Sequence, residues 1–288
     1  MDNNGAYSGR VSDALAALAR FASLPEVAAH SERARLACTD LRWHQALRRR
    51  IPEASAESRI RGAWASAELD GARSSIAIVR DLMRGARPRS PDPDPTERVL
   101  YGAIAATAAT EELGSLAAAS PRQALARLHL AAAAHLVPHD ELGRPRSAAQ
   151  VCREFVELDP PPAPEEVAAR LAMLDDIIAS DLPALLVAAI AHAEVVHLRP
   201  FTRGNGLVAR AYERALIHAS GLDPTGVAVP EHGHGAESSA AYHGALAAYG
   251  QGSTAGVTLW VKHCADAVVA GAKEGAAIAD AVLAGRLT

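Results

Sequence analysis

Apolar residues recur every three or four positions along most of this chain, and that period is typical of amphipathic helices. The pattern predicts helices over roughly 96–119, 121–136, 164–179, an apolar stretch ending near Leu198, Leu207–Ser220, 238–249 and 256–284. Upstream, residues 11–50 and the stretch that ends near Met83 also follow helical spacing. No regular alternation of strands and helices is visible, so we predict an all-α fold.

A proline-rich stretch, "ARPRSPDPDPTERV", interrupts the helical pattern near residue 90. Proline lacks the amide hydrogen that a helix needs and biases the preceding residue toward extended backbone. We therefore predict an N-terminal helical extension over residues 1–90 and a core domain over residues 91–288.

A second irregular region, "GRPRSAAQVCREFVELDPPPAP", spans residues 143–164. Its prolines again oppose a continuous helix. A short extended piece is expected around Val151–Leu158.

Composition narrows the class of protein. The 288 residues are 49% hydrophobic and carry a net charge of -4, so no basic field favours nucleic acid. No apolar run is long enough to cross a bilayer, and the first residues, "MDNNGAYSGR", lack a secretory signal. Cys38, Cys152 and Cys264 lie far apart, without the spacing of a metal site. These features predict a cytoplasmic protein.

The stretch "VHLRPFTRGNGLVAR" contains the candidate chemistry. Pro200 ends one helix, and Gly204 and Gly206 allow a tight turn before the next. The first amides of that next helix have no intrahelical partner, and on a glycine-lined turn they form a phosphate-binding concavity. Arg210 can add a bidentate contact. The alternative is an ordinary turn between helices with solvated arginines; the anion site requires amides that are free for a ligand.

This stretch resembles the signature of Fic-domain proteins, H-P-F-x-[D/E]-G-N-G-R-x-x-R. Pro200, Phe201, the run Gly204–Gly206 and Arg210 match it. The resemblance implies a Fic-like helical bundle whose usual members transfer AMP from ATP to a protein hydroxyl with the help of Mg²⁺.

Other segments extend the resemblance over most of residues 60–270. Residues 143–164 are similar to the family's flap, which can form a β-hairpin and positions a target protein. The C-terminal stretch "AAYHGALAAY" makes Tyr242 a candidate contact for a nucleotide base. The resemblance then implies these phosphate- or nucleotide-binding residues: Gly204, Asn205, Gly206, Arg210 and Tyr242. Arg203 is a further candidate by hypothesis, because its guanidinium can itself neutralise a phosphate without a metal.

Three signature positions depart from the family. Arg199 replaces the histidine that accepts the proton, and arginine cannot do so because it stays protonated. Arg203 replaces the acid that holds the metal, so no metal site and no Mg²⁺ are expected, although ATP or another nucleotide can still be the ligand. Leu207 replaces the first arginine.

Other histidines are alternative proton acceptors. His197 lies two residues before Arg199, roughly on the opposite side of a continuing helix. His139 and Asp140 precede the flap. His232 and His234 in "PEHGHG" suggest a metal, but without an evident third ligand we interpret this stretch as a polar loop.

The segment "SAELDG" resembles the family's inhibitory helix, [S/T]-x-x-x-E-[G/N], through Ser66, Asp70 and Gly71. The resemblance implies that Asp70, in place of the usual glutamate, pairs with Arg210 and restrains nucleotide binding. The alternative is a buried ion pair that only docks the N-terminal helix.

Together these features predict a divergent Fic-domain protein that binds a nucleotide or phosphate and is a pseudoenzyme or an altered transferase. Two alternatives remain: an active transferase with an unusual base such as His197, or a purely structural or interaction protein. A target protein docking on residues 143–164 is the expected macromolecular partner, and the oligomeric state is left open.

Overall fold

A computed structural model describes residues 3–286, of which the side chains are described from residue 7. The chain is 70% helical, and no strand occurs in the described part. Its helices are α1 (Asn3–Ala22), α2 (Pro25–Arg42), α3 (Ile51–Leu69), α4 (Ile76–Met83), α5 (Pro95–Leu113), α6 (Leu116–Ala119), α7 (Pro121–Ala132), α8 (Pro164–Ile178), α9 (Ala184–Leu198), α10 (Asn205–Ala219), α11 (Pro230–Gly235), α12 (Ser239–Gly250) and α13 (Thr254–Leu283). Two 3₁₀ turns lie at Gln45–Arg48 and His139–Glu141. The predicted all-α fold is thus confirmed.

Helices α9 and α10 form the centre of the bundle. In α9, "ALLVAAIAHAEVVHL", apolar residues cover every side, and 12 of its 15 residues are buried. A helix that is apolar all round belongs inside a core. Helix α10 packs against α9 with all residues from Asn205 to Ile217 buried. The turn between these two helices is therefore held on both sides by the most buried part of the molecule.

The remaining helices surround this pair. Helix α3 packs against α5 and α11, and the long α13 packs against α2, α11 and α12. Residues 84–94, which contain most of the proline-rich stretch, form no helix, and α5 begins within that stretch at Pro95. Helix α3, which precedes residue 90, packs directly on helices that follow it. The division of the chain into an extension and a core domain at residue 90 stays a prediction. None of the helices between residues 3 and 286 offers an apolar stretch long enough to cross a membrane.

Several boundaries differ from the sequence-based expectation. The helix expected over 96–119 is broken because Gly114 adopts a left-handed φ of 47°. Helix α10 begins at Asn205, two residues before the expected Leu207. The expected polar loop around His234 contains α11. Residues 143–163 form turns and irregular backbone, so the extended piece and the hairpin are absent from this described segment.

Candidate functional site

The candidate site is the turn between α9 and α10. Helix α9 ends at Leu198, and Arg199 takes a left-handed conformation with φ 42° before Pro200. Gly204, with φ 83°, precedes the first residue of α10, Asn205. Asn205 closes the turn through its side chain, since Oδ1 accepts from the Phe201 amide at 3.0 Å and Nδ2 donates to the Phe201 carbonyl at 2.9 Å. The first amides of α10 consequently face residues 143–164, called the flap segment below.

A carboxylate of the protein itself occupies these amides. Glu154, from the flap segment, accepts from the Gly204 amide at 2.6 Å and from the Asn205 amide at 2.9 Å. The Asn205 side chain adds a third donor at 2.8 Å. The expectation that the turn amides are free for an outside ligand is therefore wrong in this conformation. The turn does bind an anion, but the anion is Glu154.

The pKa of Glu154 reflects this position. Burial raises the pKa, and the nearby Asp70 carboxylate raises it further. The hydrogen bonds from Gly204 and Asn205 act in the opposite direction. The net change is upward, so the closed arrangement favours a protonated Glu154 more than an exposed glutamate would.

Arg199 faces the flap segment. Its side chain is buried, and Nη1 donates to the Phe155 carbonyl at 3.0 Å and to the Glu154 carbonyl at 3.3 Å. Its Nη2 donates to the Asp159 carbonyl. Phe155 itself takes a left-handed φ of 50°. Arg199 thus fixes the backbone at Glu154 and after it, and all polar groups of the Arg199 side chain are donors.

Arg203 and Leu207 supply neither an acid nor a phosphate contact in this conformation. The Arg203 side chain is exposed, while its carbonyl lies 3.1 Å from Nε2 of His129. Leu207 is buried in the core. The expectation that Arg203 binds the ligand stays a prediction.

Gly206 is the point where the inhibitory-helix segment and the flap segment meet. A Cβ at this position would lie 2.9 Å from Asp70 Oδ1, 3.1 Å from Phe155 Cζ and 3.2 Å from Arg210 Nη1. Only glycine fits here without displacing one of these groups.

Arg210 is fully buried and is held by the end of α3. Its Nη2 donates to Asp70 Oδ1 at 2.6 Å and to the Ser66 carbonyl at 3.0 Å, and its Nε donates to Ser66 Oγ at 2.9 Å. Gly71, with φ 81°, follows Asp70 and turns the chain away. The predicted pair of Asp70 and Arg210 is thus formed, while its inhibitory role stays a prediction.

Tyr242 does not face a ligand in this conformation. Its side chain is fully buried, and its hydroxyl lies 2.8 Å from Nε2 of His192 and accepts from Arg210 Nη1 at 3.5 Å. The expected contact with a nucleotide base therefore requires rearrangement. Burial raises the pKa of Tyr242, although Arg210 acts in the opposite direction.

The alternative proton acceptors lie away from the turn or are already engaged. His197 Nε2 lies 2.9 Å from the Leu246 carbonyl. Burial lowers its pKa. His139 and Asp140 are exposed in a 3₁₀ turn. His129 packs against the turn, but Nδ1 accepts from the Gly143 amide while Nε2 contacts Arg203.

A second polar cluster was missed by the sequence analysis. His192, Glu213 and His234 come from α9, α10 and α11 and lie together in the core. Nδ1 of His192 is 2.8 Å, and Nε2 of His234 is 2.6 Å, from the same Glu213 oxygen, Oε2. The three residues are far apart in sequence and match no short motif. The available sequence signals were His192 in the mostly apolar α9 and His234 in "PEHGHG", for which no third ligand was evident.

Residues 124–216 match the model of the Fic/DOC family. Over 88 residues the chain is 35% identical to "Protein adenylyltransferase Fic" of Nematostella vectensis, a match that covers 29% of this chain and 20% of that relative. The chain therefore matches about a fifth of that protein's length.

Solved Fic structures share the fold over a greater length. A Fic family protein of Desulfovibrio desulfuricans superposes with a TM-score of 0.72 at 20% identity, covering 92% of this chain and 76% of the other. Fic-1 of C. elegans gives a TM-score of 0.66 at 22% identity, covering 95% and 78%. Residues 124–216 thus match the Fic/DOC family model, within a chain that has the helical fold of Fic proteins.

Proposed function

We propose that this protein binds the phosphate groups of a nucleotide at the start of α10 and does not carry out the usual AMP transfer. The observation that carries the proposal is the carboxylate of Glu154 on the amides of Gly204 and Asn205. Donors that hold a carboxylate at 2.6 and 2.9 Å suit a phosphate oxygen equally well. Arg210, one helical turn further on, supplies the positive charge.

The residues around the turn oppose proton transfer. Arg199 presents only donors, and these hold flap carbonyls. Both ring nitrogens of His129 are engaged, and burial lowers its pKa to about 4. General base help typically contributes about 10²–10⁴-fold to a rate. Because Arg203 stands in place of a metal-binding acid, we propose that the phosphate binds without Mg²⁺.

In the resting protein, Glu154 acts as an internal plug. A phosphate reaches the amides only after the flap segment has moved Glu154 away. The pair of Asp70 and Arg210 adds a second restraint, because Arg210 must release Asp70 before it can turn toward a phosphate. Binding is therefore expected to be weak in the wild type and to strengthen when either restraint is removed.

The flap segment also suggests a docking place for a target protein. Val151 and Val156 flank Glu154 and are 71% and 79% exposed. A partner that covers these apolar side chains would pull on the same backbone that Arg199 holds. We propose, in addition, a cytoplasmic location, which the free, buried thiols of Cys38, Cys152 and Cys264 support.

Calorimetry with ADP tests the plug. Glu154→Gln replaces one acceptor oxygen by a donor, which cannot pair with the N–H groups of the turn. We expect this variant to bind ADP about tenfold more tightly than the wild type, from the loss of about 1–2 kcal/mol of competing hydrogen bonds. Glu157→Gln is the matched control, because Glu157 lies on the same segment but pairs with His243. Its ADP affinity should equal that of the wild type.

Two results would contradict the proposal. The anion site fails if neither the wild type nor Glu154→Gln binds ADP although both remain folded. Metal independence fails if EDTA abolishes binding.

Labelled ATP separates this proposal from an altered transferase. We expect no self-modification of the wild type, with or without Mg²⁺. Incorporation by the wild type would favour an unusual base such as His197. The double variant Arg199→His with Arg203→Asp then tests whether restoring these two side chains is enough for AMP transfer.

A further inference from the structure

The cluster of His192, Glu213 and His234 has a composition that the anion site does not explain. The three side chains are almost entirely inaccessible, at 0%, 1% and 0% exposure. Each comes from a different helix, and their ligand atoms lie within 4.8 Å of one another. Two imidazoles and one carboxylate are a common ligand set for first-row divalent metals.

Glu213 carries one oxygen that the cluster leaves unused. Both imidazoles contact Oε2, whereas Oε1 is buried and has no hydrogen-bond partner among the described residues. An unpaired buried carboxylate oxygen costs free energy. The cluster therefore leaves one buried carboxylate oxygen available to a further partner.

The outer partners suit metal-bound imidazoles. A ligating histidine must bear its proton on the other ring nitrogen, where an acceptor normally holds it. Nε2 of His192 lies 2.8 Å from the Tyr242 hydroxyl, and Nδ1 of His234 lies 3.2 Å from Nε2 of His263. Both Tyr242 and His263 can accept such a proton. When the ring proton of each histidine lies on this outer nitrogen, Nδ1 of His192 and Nε2 of His234 are free to bind a metal.

We propose that His192 Nδ1, His234 Nε2 and the Glu213 carboxylate form a binding site for Zn²⁺ or a similar divalent cation. Each residue supplies one ligand atom, so the protein provides three ligands and a water molecule takes the fourth position. The present separations of 2.8 and 2.6 Å are those of hydrogen bonds. Metal–ligand bonds of about 2.0–2.2 Å in tetrahedral geometry place neighbouring donors roughly 3.4 Å apart, so each imidazole nitrogen must move away from Oε2 by about 0.6–0.8 Å.

The position of the site indicates a structural role. The metal would join α9, α10 and α11, and Tyr242 would connect it to Arg210. The proposal is independent of nucleotide binding, since none of the three ligands contacts the turn amides.

Refolding in the presence of metal tests the site on the full chain. Denatured, chelator-treated protein is refolded with Zn²⁺ or Co²⁺, desalted and analysed for bound metal. We expect about one ion per chain and, with Co²⁺, the strong visible absorption of a four-coordinate centre. The zinc-refolded protein should also have a higher Tm than the metal-free protein.

Variants separate this site from incidental binding. His234→Gln should lose the metal, whereas His263→Gln should only weaken metal binding, by about 10–100-fold. His44→Gln is the control, because His44 pairs with Asp280 at the surface. A wild type that retains no metal would overturn the proposal, and so would equal retention by the wild type and by folded His234→Gln. The wild-type cobalt spectrum decides the question even if His234→Gln does not fold.

Discussion

Two buried arginines one turn apart on α10 make different contacts with carboxylates. Arg214 forms a two-point pair with Glu231, at 2.7 Å from Nε and 2.8 Å from Nη2, and both side chains are buried. Arg210 makes a single contact of 2.6 Å with Asp70, whose side chain is 21% exposed. Each arginine also contacts one serine of α3, Ser58 for Arg214 and Ser66 for Arg210.

The two pairs differ in how readily their carboxylates can separate from the arginine. Arg214 and Glu231 satisfy each other in a closed environment, so neither can leave without stranding a buried charge. Asp70 lies after the last residue of α3, close to Gly206, and its side chain is partly exposed. It can therefore separate from Arg210 at a lower cost. A fully buried ion pair and a partly exposed one thus occupy successive turns of one helix, and the proposed restraint is the partly exposed pair.

Breaking the Glu231 pair should have the largest effect on stability. Glu231→Gln leaves the charge of Arg214 buried without a counter-ion, and the expected loss is about 3–5 kcal/mol of unfolding free energy. Urea denaturation measures this loss. A cost below about 1 kcal/mol would show that this pair is no more structural than that of Asp70.

Breaking the Asp70 pair should cost less and change binding. Asp70→Asn keeps the shape, and Arg210 retains its bonds to Ser66, so we expect a loss of about 1–2 kcal/mol. In the Glu154→Gln background, where the plug no longer competes, ADP affinity should rise several-fold because Arg210 is free to meet a phosphate. Unchanged affinity would assign Asp70 to packing alone.

The sequence predicted only one of the two pairs, that of Asp70 and Arg210. The spacing of Ser66, Asp70 and Gly71 fitted a known inhibitory pattern, and Arg210 stood at its usual place. Nothing in "PEHGHG" indicated that this stretch is helical, or that Glu231 pairs with Arg214 and His234 enters the core. Such pairings depend on how distant helices cross, which local periodicity does not encode.

The contact of Glu154 with the turn amides could not be predicted from the sequence for a related reason. The stretch "REFVELD" offers three acids within six residues, and sequence alone does not indicate which one reaches the turn. The left-handed backbone of Phe155 and its hydrogen bond from Arg199 direct the Glu154 side chain toward the turn amides. Glu157 instead pairs with His243. Most of the helices, by contrast, followed from the apolar pattern because they bury apolar residues against their neighbours.

The ionisation of Glu154 should make ADP binding depend on pH. Its pKa is raised in the closed state and returns toward the ordinary 4.5 when the flap segment opens. The closed state is therefore favoured fully below the ordinary pKa, and this advantage is lost as pH rises through the raised pKa. ADP affinity should increase over that window, by at most about tenfold for each pH unit that separates the two pKa values.

The control for this effect is Glu154→Gln, which cannot ionise. Ionisation of the ADP phosphate acts in both proteins, so only the difference between the two pH profiles reports on the plug. Parallel profiles measured by calorimetry would exclude Glu154 as the group that titrates.

The smallest expected effect is the coupling between Ser66 and Asp70. Both residues contact Arg210, so Ser66→Ala and Asp70→Asn should be non-additive by about 0.5–1 kcal/mol in a double-mutant cycle. Ser66 contacts neither Arg214 nor Glu231 through a hydrogen bond, so Ser66→Ala with Glu231→Gln should add within about 0.5 kcal/mol. Urea denaturation of the six proteins, including the wild type, measures both terms. Equal coupling in the two cycles would mean that the successive arginine pairs act as one packed unit, and Asp70 could then not be released without disturbing Glu231.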